Sequence, residues 1–203
     1  MSRYTGPRVK VMRALGVELP GLSPKKIEKR PYPPGQHGQA RKKVSEYGRR
    51  LMEKKKLCMN YGLTEGQLRR YMLQAQSSRG PAGEALLELL ERRLDNVVFR
   101  AGFARTIPAA RQLVCHGHVQ VNGKRVDIPS FLIRSGDVLS LSQRSQELTH
   151  VVASLANTQS FETPWLSKDV ATKSARVTEL PGAGSVLFPL EVQLVVEFYS
   201  QKI

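Results

Sequence analysis

Residues 93–106 read RLDNVVFRAGFART, residues 110–119 read ARQLVCHGHV, residues 121–130 read VNGKRVDIPS, and residues 136–141 read GDVLSL. Along this stretch the apolar residues change from helical spacing to alternation, which is typical of helices followed by strands. The Asn-Gly pair at 122–123 lies between alternating apolar residues and predicts a tight β-hairpin. The stretch therefore predicts helices followed by short strands.

The helical part of this stretch has recognisable ends. Leucine and valine residues at helical spacing predict one helix over about 84–100, which Gly102 terminates. Thr106 is a suitable N-cap for a shorter helix that reaches His116, and Gly117 follows as a natural stop. We therefore expect two helices directly before the hairpin.

Two further helices are predicted upstream. Ser45 can cap a helix over about 46–60, and Gly62 ends it. Thr64 then begins a second helix, and Gln67 three residues later completes a capping box. Each helix carries apolar residues at helical spacing, so we expect one side of each to be buried.

The C-terminal part of the chain predicts short elements. Apolar residues predict a strand at 138–141, short strands near 165–166 and 175–177, and a short helix over 149–157. The segment 188–198 is ambiguous, because its apolar residues alternate strictly and also fit one helical face.

The N-terminal segment, residues 1–44, is rich in proline and glycine and shows no sustained apolar period. This composition predicts an irregular basic arm rather than a helix. Residues 1–56 contain 16 Lys and Arg residues but only four acids, whereas residues 145–203 contain more acids than bases. We therefore expect the N-terminal quarter to hold an anionic partner.

The overall composition excludes several classes of protein. The 203 residues carry a net charge of +15, and 40% of them are hydrophobic, which is enough to build a core. No apolar run is long enough to span a bilayer, and the first residues lack the apolar stretch of a secretory signal. With only Cys58 and Cys115, a disulfide framework and a four-cysteine zinc site are excluded.

The stretch 93–141 closely resembles the small RNA-binding module named after the fourth protein of the small ribosomal subunit. The resemblance to that ribosomal protein family continues, in order, along nearly the whole chain. It includes Arg3-Tyr-Thr-Gly-Pro-Arg, Pro34-Gly-Gln-His-Gly, Tyr47-Gly, Glu53-Lys-Lys-Lys-Leu, Tyr61-Gly, Gln67-Leu-Arg-Arg-Tyr, Pro164-Trp-Leu and Val196-Glu-Phe-Tyr-Ser. The chain is identified as a member of this family, of bacterial or plastid type.

The resemblance implies an α+β fold in which a helical domain accompanies a module of two helices and an antiparallel sheet. We therefore expect a basic arm at 1–44, a helical domain at 45–92 that segment 186–203 completes, and the RNA-binding module with its sheet extension at 93–185. The C-terminal segment of the family is helical, which favours a helix at 190–200.

The candidate RNA-binding residues are side chains that can neutralise or hydrogen-bond a phosphate. In the arm they are Arg3, Lys10, Arg13, Lys25, Lys26, Arg30, Gln36, His37, Arg41, Lys42 and Lys43. In the helical domain they are Arg49, Arg50, Lys54, Lys55, Lys56, Arg69 and Arg70. In the module they are Arg105, Thr106, Arg111, Gln112, His116, Asn122 and Lys124. The first five lie at or along a predicted helix whose N-terminal N–H groups favour a phosphate, and the last two lie at an exposed turn.

No catalytic residue, metal site or cofactor is predicted. Some members of the family hold zinc with cysteines in the arm, but this arm contains none. His116 and His118 alone are a weak metal-binding pair. Asp95 lies beside two arginines and is interpreted as structural, and both cysteines and Trp165 are interpreted as core residues.

These observations predict a structural RNA-binding protein of the small ribosomal subunit and not an enzyme. The resemblance implies that it binds small-subunit ribosomal RNA, nucleates subunit assembly and contributes to translational accuracy. The implied partners are that RNA, neighbouring small-subunit proteins and the path along which messenger RNA enters, without a membrane or a small-molecule substrate. The expected location is the ribosome, in the bacterial cytoplasm or the plastid stroma.

Three alternatives belong to other classes. The module is similar to appendages of pseudouridine synthases and tyrosyl-tRNA synthetases, but those enzymes need a separate catalytic domain, and no Gly-rich nucleotide loop or nucleophile–base set stands out. A free RNA-binding chaperone or ribosome-rescue factor would lack the N-terminal match. An anionic membrane surface is disfavoured, because no basic amphipathic helix with an aromatic face stands out.

Overall fold

The computed structural model describes residues 4–40, 43–156 and 163–200. Within these ranges the chain forms helices together with one five-stranded antiparallel sheet, so the predicted α+β class is confirmed. In chain order the elements are α1 (Arg8–Leu15), α2 (Glu46–Tyr61), α3 (Glu65–Gln76), α4 (Ala82–Glu91), α5 (Leu94–Arg100), α6 (Ile107–Cys115), β1 (Val119–Val121), β2 (Lys124–Arg125), β3 (Val138–Leu141), α7 (Thr149–Ala156), β4 (Leu166–Asp169), β5 (Ser174–Val177) and α8 (Val192–Ser200).

The described residues form two compact units. The first extends to Leu87 and resumes at Val186, and the second runs from Glu88 to Ser185. No helix in the described ranges combines the length and the apolar character needed to cross a bilayer.

In the first unit, α8 packs along α2 and also contacts α3. Leu57, Met72 and Val195 are fully buried there, so the core of this unit lies where the apolar sides of these three helices meet. The chain therefore closes this unit with its C-terminal helix. The predicted choice of helix over strand for this segment is confirmed.

The predicted starts of α2 and α3 are confirmed by their caps. The Ser45 Oγ accepts a hydrogen bond from the Gly48 N–H at 3.2 Å. Thr64 and Gln67 form the reciprocal capping box. Gly62 ends α2 in the left-handed conformation with φ +62°, which a side chain would strain.

The prediction that the arm contains no helix is wrong for α1. Met12 is fully buried on one side of α1, and its Sδ accepts a hydrogen bond from the Leu19 N–H at 3.4 Å. The Gly21 N–H then donates to the Asn60 Oδ1 of α2 at 3.0 Å. Two turns give too few apolar repeats for a period to be visible, so the buried methionine and its tertiary contacts define this helix.

The prediction of one continuous helix over 84–100 is also wrong, since it divides into α4 and α5. Arg93 lies between them in an extended conformation with ψ 137°, and it forms an isolated bridge with Leu132. The N–H groups of Leu94 and Asp95, at the start of α5, donate to the carbonyls of Phe131 and Pro129. A distant loop therefore satisfies the donors of a new helix start, which local periodicity does not register.

The sheet has the strand order β2-β1-β3-β5-β4, and all neighbours are antiparallel. Asn122 and Gly123 both have positive φ, as a two-residue hairpin between β1 and β2 requires, so the predicted hairpin is confirmed. Val119 lies opposite Leu141 and Leu139 opposite Ala175, and these four side chains are buried together.

The core predictions for three single residues had different outcomes. Trp165, just before β4, is 4% exposed, and Cys58 is buried on α2, as predicted. The prediction for Cys115 is wrong, because this cysteine is exposed as the last residue of α6. Leu113 and Val114 occupy buried positions of α6, whereas Cys115, the next residue, faces solvent.

Candidate RNA-binding surface

Arg13 has a structural role in the arm. Its Nε lies 2.9 Å from the Arg30 carbonyl oxygen and 3.1 Å from that of Tyr32. Its guanidinium also lies over the Tyr32 ring, 5.1 Å from the centroid. Arg8 donates similarly to the Leu22 carbonyl at 3.4 Å. These two arginines connect α1 to later parts of the arm through hydrogen bonds. Because Arg13 already donates within the chain, it is less available to bind an external phosphate than the exposed cations of the arm.

The Pro/Gly turn of the arm is compact and presents two polar side chains. The Gly38 N–H donates to the Gly35 carbonyl at 3.2 Å. A Cβ on Gly38 would lie 2.0 Å from the Pro33 carbonyl oxygen, so only glycine fits at this position. Gln36 and His37 are both exposed in this turn.

The remaining candidates in the arm are mostly exposed. Exposed side chains are those of Lys10, Lys25, Lys26, Arg30 and Lys43. The Lys26 ammonium lies 3.2 Å from the Glu28 carboxylate, but both are exposed, so the pair is a weak competitor for a polyanion. Arg3, Arg41 and Lys42 lie outside the described residues.

The basic run on α2 divides into paired and exposed members. Lys54 is buried, with its Nζ 2.8 Å from the Glu65 carboxylate and 4.4 Å from the centre of the Phe198 ring. Lys56 pairs with Glu53, and Arg50 lies 3.0 Å from Glu197 on α8.

Arg49 and Lys55 on α2 are exposed, as are Arg69 and Arg70 on α3. The spacing of the sequence did not separate these cations from those that are occupied within the chain. The partners of Lys54 and Arg50 lie on α3 and α8, which only the fold brings beside α2, whereas Lys56 pairs with Glu53 of α2 itself.

A buried ionic network supports the start of the module. The Arg93 guanidinium makes two hydrogen bonds with the Asp95 carboxylate, at 3.0 and 2.6 Å. Burial raises the pKa of Asp95, while the charge of Arg93 and its hydrogen bond act in the opposite direction. Beside this pair, the Glu91 carboxylate accepts from Asn96 at 2.9 Å and from Arg100 at 2.8 Å. The structural role predicted for Asp95 agrees with this geometry.

Two arginines belong to the region of α6: Arg105 precedes its capped start, and Arg111 lies at the middle of the helix. The Thr106 Oγ1 accepts from the Ala109 N–H at 3.3 Å, so the predicted N-cap is confirmed. Arg105 is exposed and donates to the Ala153 carbonyl at 3.1 Å. Arg111 is partly buried, with its Nη1 3.9 Å from the Asp95 carboxylate, whereas Gln112 one residue later is exposed. The helix dipole and these cations together favour a phosphate here.

The hairpin tip presents one cation. The Asn122 side chain accepts from the Val138 N–H at 2.9 Å and donates to the Asp137 carboxylate at 2.8 Å. Asn122 therefore ties the turn to β3, which is a structural role in addition to the predicted RNA contact. Lys124 is exposed at the start of β2.

Three residues near His116 were not among the predicted candidates. The rings of His116 and His118 lie 6.0 Å apart, and the Arg125 side chain occupies the space beside Gly117, the residue between them in sequence. Burial lowers the pKa of His118, and His116, His150 and Arg125 lower it further. The sequence contains the spacing of the first two histidines, but the approach of His150 and Arg125 depends on how α7 and β2 fold back.

Two other titratable groups are structural. Burial raises the pKa of the Cys58 thiol to about 12. Burial also raises the pKa of Tyr199, whose hydroxyl donates to the Glu65 carboxylate at 2.9 Å. Among the residues that the structure describes, no group of three His, Cys, Asp or Glu side chains is placed to hold a metal ion.

An α+β fold with its excess cations exposed on an arm, two helices and a small helix–sheet module defines a protein of the class that binds nucleic acid. Residues 3–91 match the family model of the ribosomal protein S4/S9 N-terminal domain, and residues 92–139 match the S4 domain.

Full-length relatives agree with these family models. The chain is 57% identical to small ribosomal subunit protein uS4 of Methylobacillus flagellatus, 54% to uS4B of Nitrosomonas europaea and 52% to uS4 of Synechocystis. In each comparison the match covers 100% of both chains. The chain therefore belongs to the uS4 family of small ribosomal subunit proteins.

Proposed function

We propose that the chain is a structural constituent of the small ribosomal subunit and binds the ribosomal RNA of that subunit directly. The observation that carries this proposal is the match over 100% of the chain to relatives that are named as small ribosomal subunit proteins. The exposed cations give the physical means of binding. Each phosphate that they neutralise releases counterions, so the affinity should depend steeply on salt.

The proposed RNA contacts are the exposed members of the candidate set. They are Lys10, Lys25, Lys26, Arg30, Gln36, His37, Lys43, Arg49, Lys55, Arg69, Arg70, Arg105, Gln112, His116 and Lys124. Thr106 and Arg111 would act with them at the cap and the middle of α6. We assign lesser weight to Arg13, Arg50, Lys54, Lys56 and Asn122, because partners within the chain already occupy them.

The wider role follows from membership of the family. We propose that the chain nucleates subunit assembly, contributes to translational accuracy, contacts neighbouring small-subunit proteins and lies near the path along which messenger RNA enters. The proposed domains are the arm at 1–44, the helical domain at 45–92 with 186–203, and the module at 93–185. The proposed location is the ribosome in the bacterial cytoplasm or the plastid stroma, and the role requires no chemical reaction.

The experiment compares the affinity of the full chain for a small-subunit ribosomal RNA fragment and for an unrelated RNA across a salt series. A triple variant, Lys10→Gln, Lys25→Gln and Lys43→Gln, removes three exposed charges of the arm. It leaves unchanged Arg8 and Arg13, which make hydrogen bonds within the arm. A matched variant, Arg134→Gln, Arg144→Gln and Arg176→Gln, removes three exposed charges outside the candidate set.

We expect the full chain to prefer the ribosomal fragment and the arm variant to lower the salt slope by about two to three. The matched variant should change the slope by less than about one, because its charges do not contact phosphate in the proposal. Equal affinity of the full chain for the two RNAs would contradict the proposed function.

A further inference from the structure

We propose that His116, His118 and Arg125 form a binding site for one backbone phosphate of RNA, and that protonation of His118 tightens it. The proposal rests on the proposed function, because it names a contact through which the chain would hold RNA. It adds to that function a dependence on pH that a surface of lysines and arginines would not have.

The geometry places three phosphate-binding groups around one glycine. The His116 and His118 rings are 6.0 Å apart and flank Gly117 in sequence. A Cβ on Gly117 would lie 2.1 Å from the Arg125 Nε, so the guanidinium occupies the space that a side chain at this position would fill. Two oxygens of one phosphate, each about 2.8 Å from a donor nitrogen, can bridge rings at such a spacing.

The site is accessible and partly fixed. His116 and Arg125 are exposed, and His118 is partly exposed. The His118 Nδ1 lies 2.8 Å from the Ser145 Oγ, which orients the ring. The His118 carbonyl also accepts from the Ser142 N–H at 2.9 Å. A phosphate that approaches from solvent would therefore meet an imidazole that is already held in position.

The electrostatic surroundings of the site favour an anion. Besides burial, three basic side chains lower the pKa of His118: His116 at the end of α6, Arg125 on β2 and His150 on α7. All three are bases, and they add to the effect of burial in lowering the pKa of His118. Protonation of His118 therefore costs free energy until a negative charge is present to offset the repulsion.

Linkage then gives the direction of the effect. A bound phosphate stabilises the imidazolium form, so RNA binding takes up protons. The affinity should rise as pH falls through the pKa of the bound state. It should stop rising below the pKa of the RNA-free state. Uptake of up to one proton would tighten binding about threefold to tenfold between pH 7.5 and 6.0.

The test measures affinity at pH 7.5 and pH 6.0 at constant salt, with the ribosomal RNA fragment and with an unrelated RNA of equal length. The variants are the double substitution His116→Gln with His118→Gln, and Arg125→Gln. Lys124→Gln is the matched control, since it removes one exposed positive charge from the same strand. Circular dichroism at both pH values checks that each variant is folded.

We expect the wild-type chain to bind about threefold to tenfold more tightly at pH 6.0, and the double histidine variant to change less than about twofold. Arg125→Gln should weaken binding at both pH values, and Lys124→Gln should keep the wild-type ratio between them. An unchanged wild-type affinity, or a double variant that tightens as much as the wild type, would overturn the site.

These results separate the site from the proposed function. If the chain binds both RNAs equally, the ribosomal assignment fails, but the pH ratio on either RNA still decides whether the phosphate site exists. If it prefers the ribosomal fragment and the double variant keeps the full pH ratio, the function stands and the site is refuted. Absence of binding to either RNA refutes both.

Discussion

The Arg93 Nη2 lies 2.6 Å from the Asp95 Oδ2, and its Nε lies 3.0 Å from the Oδ1 of the same carboxylate. Both side chains are almost completely withdrawn from water, at 1% and 0% exposure. The pair joins the N-cap residue of α5 to the first turn of that helix, directly after the break that separates α4 from α5. Its second neighbour is Arg111 of α6, whose Nη1 lies 3.9 Å from the Asp95 Oδ2.

Substitution of Asp95 by alanine should destabilise the chain by about 3–5 kcal/mol, because it leaves the buried Arg93 charge without its carboxylate. Arg93→Met combined with Asp95→Ala should cost less than the sum of the two single substitutions, since no uncompensated charge remains. Urea unfolding followed by circular dichroism gives the free energies. Asp127→Asn, on an exposed carboxylate of the same unit, is the control and should change stability by less than about 0.5 kcal/mol. Additive effects of the two single substitutions would contradict the proposed coupling.

The second residues of α3 and α4 are both glycines, but their surroundings differ. A Cβ on Gly66 meets open space, whereas a Cβ on Gly83 would lie 2.6 Å from the Val192 Cγ1 of α8. Gly66→Ala should stabilise the chain by about 0.5 kcal/mol through its helix propensity. Gly83→Ala should destabilise it by about 1 kcal/mol, because the stiff valine must move. Thermal unfolding of the two variants checks that their changes in stability have opposite signs. Stabilisation by both substitutions would show that the Val192 side chain moves aside without cost.

Lys54 and Lys55 are neighbours in sequence that should behave differently. Lys55→Gln should lower the salt slope of RNA binding by about 0.7–0.9, as expected for loss of one phosphate contact, and leave stability unchanged. Lys54→Gln should cost about 1–2 kcal/mol of stability, because it removes the contacts with Glu65 and the Phe198 ring. The two variants serve as each other's control. The same slope loss in both would mean that Lys54 leaves its internal partners when RNA binds.

Most of the elements that the residues themselves predicted correctly have a local cause, whereas α8 was favoured by the resemblance. The Ser45 and Thr106 caps, the Thr64–Gln67 capping box and the Asn-Gly hairpin each depend on residues within four positions of one another. The elements that were missed depend on distant partners. α1 is defined by buried Met12, and the break at Arg93 depends on the loop that contains Leu132.

The same reasoning applies to the candidate site. Composition located the excess of cations, and the resemblance indicated what they bind. Neither could show that Lys54 and Lys56 are occupied within the chain while Lys55 is exposed. The cluster around His118 was missed because it combines α6, β2 and α7, which are separated in sequence.

The two cysteines should differ in reactivity. Cys58 is buried and its pKa is raised to about 12, so little thiolate forms at neutral pH and reagents have no access to it. Cys115 is exposed. A maleimide added to the native chain at pH 7.5 should label one site, and labelling of the second should require denaturant. Mass spectrometry counts the labels, and Cys115→Ser should abolish the native reaction. Rapid labelling of Cys58 in that variant would contradict its burial against α3 and α8.

The stability of the RNA-free chain should fall on acidification through His118. Because the folded state lowers the pKa of this imidazole, the unfolded chain binds the proton more readily. The contribution of His118 is therefore complete above its unfolded pKa of about 6.5 and is lost as pH falls through the lower, folded value. Urea unfolding between pH 7.5 and 5.5 should show a shallower decline for His118→Gln than for the wild type, while Lys124→Gln should parallel the wild type. RNA should reverse the trend, because a bound phosphate favours the proton that folding alone disfavours. Parallel declines for His118→Gln and the wild type would mean that folding does not lower the pKa of His118.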